Sequence, residues 1–307
     1  MRSNNAPNPS TPRAMPAAAW IGLFTVAAFW GGSFVAIRVA VQEVPVLSLV
    51  ALRVLGASLV LLVFLRLSGL RFPRGAKVWS ALLVQSFVGY TVPFFLIGWG
   101  QKYLTSGLAS ILNASTAVFG VLIAAMVLKD ERLSRQRGIG VTLGFAGVAV
   151  AMGLETLATL DLTSLAQLAL LAASLSYAIS NAWNRAKLRE TDPRLVAGIT
   201  LSLASAQLVP LALLHDGLPT VVWSLPAVAS IAYLSVVSTA LAYMVYYRVL
   251  ALAGAGNASL VTLLVAPIAI VLGAVILGEQ LALNDYLGFA LLALGLLIID
   301  GRLRLGR

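Results

Sequence analysis

The composition of this 307-residue chain excludes most soluble folds, since 60 % of its residues are apolar and only 10 % are charged, against about 45–50 % and about 25 % in soluble domains. The chain has no cysteine and a single histidine, His215, so no metal site and no cofactor are predicted. The formal net charge of +10 comes from Lys and Arg in short gaps between apolar runs, which indicates membrane topology and argues against a nucleic-acid partner.

The chain begins with a polar segment. MRSNNAPNPSTPRAM is rich in Asn, Ser and Pro and has too little apolar surface to fold, so residues 1–15 are predicted to be a disordered cytoplasmic tail. The next apolar stretch is about twenty-five residues long and leads into Trp30, Gly31 and Gly32 without a convincing cleavage site. We therefore expect a retained first helix rather than a signal peptide.

Apolar runs of the length needed to cross a bilayer follow one another along the chain, since a core about 30 Å thick requires about 20 residues per helix. The sequence therefore predicts an all-α membrane protein with ten transmembrane helices. They are expected near residues 17–40, 46–67, 78–98, 103–128, 138–154, 165–183, 195–214, 226–249, 257–277 and 281–299.

The distribution of Lys and Arg predicts the orientation of these helices. With the amino end inside, 18 of the 21 Lys and Arg residues fall on the cytoplasmic side, whereas Arg38 and Lys102 fall outside and Arg53 lies within the second span. Cytoplasmic loops retain Lys and Arg, so both termini are expected in the cytoplasm and the number of spans is expected to be even.

The sequence contains an internal repeat. A shift of 148 residues places LKDERLSRQRGIGVTLGFAG (128–147) on ILGEQLALNDYLGFALLALG (276–295). We predict a first five-helix repeat at 16–154, an extracytoplasmic linker at 155–163, a second repeat at 164–300 and a basic cytoplasmic tail at 301–307. Because five is odd, the second repeat must be inverted, a plan that recurs in transporters with a midplane site. Matched pairs include Glu131 with Glu279, Gly140 with Gly288, Gly147 with Gly295 and Thr91 with Thr239.

Three sequence features resemble a known family. FWGGSFVAIRVA (29–40), the LRV of 52–54 and the paired segments ending in KDERL and LGEQL are similar to the drug/metabolite transporter superfamily, and more closely to its EamA-type members. The similarity runs from about residue 20 to residue 299. It implies two inverted five-helix repeats around a central cavity in the bacterial inner (plasma) membrane, and export of small metabolites, notably amino acids. The breadth of the family leaves the substrate open.

Arg53 is the one charge deep inside a predicted span. It lies roughly 12 Å from the outer end of the second helix at 1.5 Å per residue, where a guanidinium is costly unless it faces a cavity or a partner. As a functional group it would attract a carboxylate or phosphate. As a structural group it would be satisfied by helix-end carbonyls or would snorkel outward. The sequence leaves both alternatives open.

Polar and aromatic side chains recur on single faces of several predicted helices. Residues 174, 177, 181 and 184 of the sixth helix are Ser, Tyr, Asn and Asn on one face, which would meet either a substrate or another helix. Tyr90 and Tyr243 lie farther from the span ends and could form walls for an organic substrate. The predicted substrate-binding residues are Arg53, Tyr90, Asn113, Tyr177, Asn181, Asn184, Thr239 and Tyr243.

A second group of residues is predicted to shape or gate the bundle. Glycines let helices approach closely, and prolines within spans can kink them and free backbone carbonyls. The paired glutamates at helix ends resemble family positions, which implies capping or gating rather than ligand binding. This group consists of Gly31, Gly32, Pro93, Pro267, Glu131 and Glu279.

The predicted function is export of zwitterionic or anionic metabolites by alternating access. No predicted span has an Asp or Glu near its middle, so a cationic drug would lack a counter-ion, whereas Arg53 suits an amino acid. Facilitated diffusion needs no ionisable relay, and proton antiport would need one that the sequence does not reveal. The expected partners are a small-molecule substrate and the lipid bilayer, and ten helices can enclose a pathway in a monomer.

Three other functions compete with export. A carrier of nucleotide-sugars, phosphate esters or lipid-linked sugars would suit Arg53, but two or more clustered deep basic residues would be expected. An enzyme is not predicted, because the sequence has no HExxH, no GxSxG and no intramembrane Asp pair. A non-transporting membrane subunit would bury its polar stripes against other helices without a pocket.

Overall fold

The computed structural model describes residues 15–127, 134–153, 161–218, 223–258 and 260–303, without the side chains of 255 and 256. The predicted amino-terminal tail up to residue 14, most of the predicted linker, residues 304–307 and Glu131 lie outside the described residues. The described ranges contain helices and no strand, which confirms the all-α class.

Ten helical segments follow one another in these ranges, close to the predicted runs. Several start at a side-chain cap, since Thr105, Ser134, Asp161, Asp192 and Ser224 each accept a backbone N–H from the first turn. The segments are α1 Ala17–Ala40, α2 Val46–Leu67, α3 Ala76–Gly100, α4 Ser106–Val127, α5 Arg135–Met152, α6 Leu162–Lys187, α7 Pro193–His215, α8 Leu225–Gly254, α9 Leu260–Leu277 and α10 Leu283–Ile299.

Eight of the described helices are long and apolar enough to cross a membrane. The two others are α5, whose first turn carries Arg135 and Arg137, and α10, which has only 17 residues. Large apolar side chains such as Ile21, Leu59 and Val271 are more than half exposed on the bundle, as expected where lipid rather than water is the solvent. The chain is therefore a multi-pass helical membrane protein.

The helices pack in a reciprocal pattern. α1 packs against α8 and α9, and α6 packs in the same way against α3 and α4, while α2 pairs with α7 and α5 with α10. Exchanging the first five helices with the last five reproduces this pattern of contacts. The repeat found in the sequence is thus also a repeat of packing.

The closest helix pair, α5 with α10, is built on glycine. An added Cβ on Gly140 would meet the carbonyl oxygen of Gly295, and one on Gly147 would meet that of Gly288. The 148-residue shift relates Gly140 to Gly288 and Gly147 to Gly295, so the two contacts are equivalent in the repeat. Small residues let two backbones approach closely inside a membrane, so α5 and α10 form a tight pair.

Both α3 and α8 are interrupted by a π-helical segment, at Phe87–Thr91 and Tyr233–Leu241 respectively. The 148-residue shift places the first segment inside the second. In α8 the hydroxyl of Thr239 donates to the carbonyl of Leu234, five residues back, at 2.7 Å. Such π turns are rare and occur frequently at functional sites, and these two contain Tyr90 and Thr239.

Candidate functional site

Arg53 lies in the middle of the bundle, with 8 % of its surface exposed. Its Nε donates to the hydroxyl of Thr239 at 3.0 Å, and its guanidinium carbon lies 3.9 Å from the centre of the Phe94 ring. The side chain from α2 is thus held by α8 on one side and by α3 on the other. Neither helix-end carbonyls nor snorkelling accounts for its position.

Only part of the hydrogen-bonding capacity of Arg53 is used by protein. Nε is paired with Thr239, but Nη1 and Nη2 have no hydrogen-bond partner among the described residues. Leaving a buried guanidinium half-satisfied costs free energy. A carboxylate can accept two parallel N–H bonds from such a fork, so the arrangement is suited to binding one.

Aromatic rings surround this guanidinium. The Tyr90 ring lies 5.7 Å from that of Phe94 and 5.9 Å from that of Tyr243. Tyr243 in turn lies 6.1 Å from Trp30 and stacks on Tyr247 at 6.0 Å. Rings at these distances form edge and offset contacts that pack an apolar surface tightly. The site therefore combines one positive charge with apolar aromatic walls.

The structure brings four of the predicted substrate-binding residues into one cluster, in which Phe94 joins the pair Arg53 and Thr239 to the pair Tyr90 and Tyr243. Tyr177 lies within electrostatic range of the same guanidinium. These five residues come from α2, α3, α6 and α8, and therefore from both halves of the chain.

The three predicted asparagines are not shown to contact this cluster. The side-chain oxygen of Asn113 is buried without a hydrogen-bond partner in the described chain, while its backbone carbonyl accepts from Ser174 at 3.4 Å. Asn181 is exposed and Asn184 half-buried. Their part in binding stays a prediction.

Sequence reasoning missed residues on a second face of α6. Ser176 donates to the carbonyl of Val88 at 2.7 Å, and Ser180 accepts from the Gln85 amide at 2.9 Å. Both pairs join α6 to α3 and are buried, so they are hydrogen bonds between helices of the kind that holds membrane bundles together. The prediction from i, i+3, i+7 spacing selected the neighbouring face of residues 174, 177, 181 and 184 and therefore did not include these serines.

The predicted structural residues in the described chain occupy helix contacts. An added Cβ on Gly31 would collide with Ile268 of α9, and one on Gly32 with the hydroxyl of Tyr233, which donates to the carbonyl of Phe29 at 3.1 Å. Pro93 lies two residues after the end of the π segment of α3, and Pro267 lies inside α9. Whether these positions move during function stays a prediction.

One end of the bundle, which includes residues 41–45, 101–105, 216–218, 223–224 and 278–282, is named here the acidic end. Its described residues include three carboxylates that bridge the two halves by accepting backbone N–H and hydroxyl hydrogen bonds from serines at helix starts. We call these pairs the carboxylate latches. They are Glu43 with Ser224 at 2.9 and 2.6 Å, Asp216 with Ser48 at 2.9 and 2.7 Å, and Glu279 with Ser106 at 2.5–2.9 Å.

Hydrogen bonding lowers the pKa of two of the latch carboxylates. The hydroxyl and then the backbone N–H of Ser224 lower the pKa of Glu43 below its ordinary value. Burial raises the pKa of Asp216, but hydrogen bonds from His215 and Ser48 outweigh it and leave that pKa lowered. A lowered folded-state pKa means that the latch is present above the carboxyl's ordinary value near about 4 and is lost as the pH falls through the lowered value.

Replacing Glu43 with glutamine should loosen the acidic end. A neutral amide is a weaker acceptor for the helix start, so we expect a single cysteine in place of buried Ser235 to react severalfold faster with a membrane-impermeant maleimide. The chain has no native cysteine, which makes the label specific, and Glu190→Gln in the opposite loops is the matched control. Because the thiolate is the reactive form, all rates are compared at one pH. Equal rates in the two variants would contradict a closing role.

The opposite end, named the basic end, is formed by loops 68–75 and 188–192 and by residues 300–303. A cavity of about 510 Å³ opens there between α2, α7 and α8. Its lining includes Phe64, Arg194, Tyr247 and Arg248, but not Arg53. The described conformation is thus latched at the acidic end and open at the basic end. No group of three metal-ligating side chains converges in the described ranges.

These features define a class of protein first. A helical bundle whose described residues include eight helices long and apolar enough to cross a membrane, in two reciprocally packed halves, is a multi-pass membrane protein. The profile of the EamA-like transporter family matches residues 17–153 and again residues 164–300, so the chain belongs to that family. Membership places it among transporters.

Individual relatives are similar over nearly the whole chain. YoaV of Bacillus subtilis (strain 168), an uncharacterized transporter, is 25 % identical over 283 residues, which cover 90 % of this chain and 94 % of that protein. A probable amino-acid metabolite efflux pump of Escherichia coli (strain K12) is 26 % identical over 281 residues, 89 % of this chain and 91 % of that one. A solved crystal structure with 20 % identity covers 93 % of this chain and 98 % of its own, with a TM-score of 0.66, and shows the same fold.

Proposed function

We propose that the protein exports small carboxylate-bearing metabolites, amino acids first among them, by alternating access. The observation that carries the proposal is the buried guanidinium of Arg53, whose Nη1 and Nη2 are available to a ligand. A carboxylate would bind this fork, while the aromatic rings around it would contact the apolar part of the substrate.

In this proposal all ten helices cross the bacterial inner membrane as two inverted five-helix repeats, 16–154 and 164–300, with both termini in the cytoplasm. The basic end then faces the cytoplasm, because Lys and Arg are retained there. The reciprocal packing of the halves and the double match to the family support this arrangement.

The conformation described above corresponds to an inward-facing state of such a cycle. The carboxylate latches would close the outer side while the basic-end cavity admits substrate. Export would require the latches to open and the cavity to close as the halves rock about the midplane, as in other inverted-repeat transporters. The two π segments beside Arg53 are positioned to absorb part of that motion.

Amino acids are favoured over larger anions on two grounds. Similar proteins of Escherichia coli and Salmonella typhimurium bear the name probable amino-acid metabolite efflux pump. One guanidinium also matches one carboxylate, whereas a nucleotide-sugar diphosphate would leave charge unpaired at this site.

Transport by purified protein in proteoliposomes tests the proposal. Each of the twenty amino acids is supplied radiolabelled, and exit is compared with protein-free vesicles of the same lipid. We expect at least one amino acid to cross faster, and its amide, which lacks the carboxylate, to compete about tenfold less well because a charge-assisted hydrogen bond is lost. If no amino acid is transported, or if the amide competes as well as the amino acid, the proposed class of carboxylate substrates is wrong.

A further inference from the structure

The cavity at the basic end has a distinct chemical character. Leu61, Phe64 and Met244 give it apolar walls, and its charged lining consists of Asp192, Arg194 and Arg248. The volume of about 510 Å³ lies within the range of small-molecule pockets. A metabolite the size of an amino acid would fit inside it.

One positive charge in this cavity is uncompensated. Arg194 is held by Asp192 through two hydrogen bonds, at 3.0 and 2.7 Å. These bonds lower the pKa of Asp192, which therefore stays ionised and neutralises its partner. Arg248, which is exposed on α8, has neither a hydrogen bond nor an ion pair with the described residues. The cavity therefore presents one free guanidinium to an entering anion.

Tyr247 connects this cavity to the buried cluster. It lines the cavity beside Arg248, and its ring stacks on Tyr243 at 6.0 Å with 26° between the ring planes. Tyr243 contacts Tyr90, which contacts Phe94, the ring under the Arg53 guanidinium. A continuous line of four rings thus runs from the cavity to Arg53.

We propose that this cavity is a second, outlying binding site, in which the guanidinium of Arg248 binds the carboxylate of the substrate. The stacked rings of Tyr247 and Tyr243 separate this site from Arg53. A substrate would bind first at Arg248 and reach Arg53 once the two rings part. The proposal rests on the function proposed above. It adds a residue that determines specificity at the entrance, because Arg248 attracts anions and repels cations before the buried site is reached.

A cysteine reporter tests the site without relying on transport. Ala251 lines the same cavity, and the chain has no native cysteine, so Ala251→Cys introduces one specific label. The purified protein in phosphatidylcholine nanodiscs is treated with an anionic sulfonatoethyl or a cationic trimethylammonioethyl methanethiosulfonate. We expect Arg248→Gln to lower the anionic-to-cationic rate ratio about tenfold and Arg248→Lys to restore most of it.

Two controls separate the site from general surface charge. Arg74→Gln removes the same charge from a basic-end loop outside the cavity and should change the ratio less than twofold. Cysteine at exposed Leu225, at the opposite end of α8, should show no dependence on Arg248. An unchanged ratio in Arg248→Gln, or an equal fall in Arg74→Gln, would overturn the proposal.

Protection of the introduced cysteine from labelling identifies the kind of molecule that the cavity binds. A mixture of the common amino acids without cysteine, whose thiol would consume the reagent, should slow labelling of Ala251→Cys, whereas the corresponding amides should not, and Arg248→Gln should remove the protection. Equal protection by amides, or no protection, refutes a carboxylate site. If adding phosphatidylglycerol abolishes protection, Arg248 binds a lipid headgroup and the proposal fails.

The Arg53→Ala background distinguishes the two proposals. Protection that persists in this variant while transport is lost supports a separate outer site. Protection that disappears with Arg53 means that there is one site, and the inference is wrong. Intact protection in a protein that moves no amino acid would refute the proposed function and leave the anion site standing.

Discussion

Replacing Arg53 with alanine is expected to reduce transport of amino acids by more than about tenfold. The variant removes the two N–H donors that would hold a carboxylate, and hydrogen bonds to charged groups contribute about 1.5–3 kcal/mol. Lysine at the same place keeps the charge but loses the planar fork, so we expect Arg53→Lys to lie between the alanine variant and the parent. Initial rates in proteoliposomes, normalised to folded protein, measure the effect.

The matched control for Arg53 is Arg66→Ala, which removes an exposed arginine from the last turn of the same helix. It should transport at the rate of the parent. A structural role for Arg53 would appear instead as a lower melting temperature, with normal transport by the molecules that remain folded. Normal transport by folded Arg53→Ala protein would remove the main support for a carboxylate substrate.

Adding a methyl group to the glycine seam between α5 and α10 is expected to have the largest effect on stability. The Cβ of Gly147→Ala would lie 2.5 Å from the backbone nitrogen of Leu292 and 2.6 Å from the carbonyl oxygen of Gly288. Because both obstacles are backbone, the helices must separate. Overpacking of this kind costs about 1–3 kcal/mol, so the melting temperature in detergent should fall by several degrees.

Gly138→Ala is the control for the seam. It lies on the same helix, and an added Cβ there meets nothing within 4 Å, so the better helix propensity of alanine should leave stability unchanged or raise it. The reciprocal variant Gly288→Ala should destabilise the protein as much as Gly147→Ala does. Equal melting temperatures for the Gly138 and Gly147 variants would show that the two helices do not pack as described.

The positions of the helices could be predicted closely because long apolar runs in the sequence mark membrane spans. α1 and α2 begin and end at the residues expected, since Pro16 and Pro45 mark their starts. The fifth helix begins at Arg135, three residues before the apolar run. Ser134 caps it there, and a helix continues to the residue that caps it whether or not the intervening turn is apolar.

The site could be predicted only in part. Arg53 stands out in the sequence because a charge in a span is rare, but its partner Thr239 is 186 residues away and nothing local indicates that pairing. The π segments were not predicted, because a π turn has no periodicity of its own in a short apolar stretch. Tyr247, four residues after Tyr243, did carry a usable signal, since that spacing places two rings on one face of a helix.

The matching π segments also bear on how the protein arose. A π turn holds one more residue than an α turn, and here the extra residue lies at the same point of both halves, within 87–91 and 233–241. Two independent insertions at the same position of the repeat are a less economical explanation than a single insertion before the duplication. A π turn present in the ancestral half before duplication accounts for both segments, whereas the charge at Arg53 is carried by one half alone, since the matching position of the second half is Leu201.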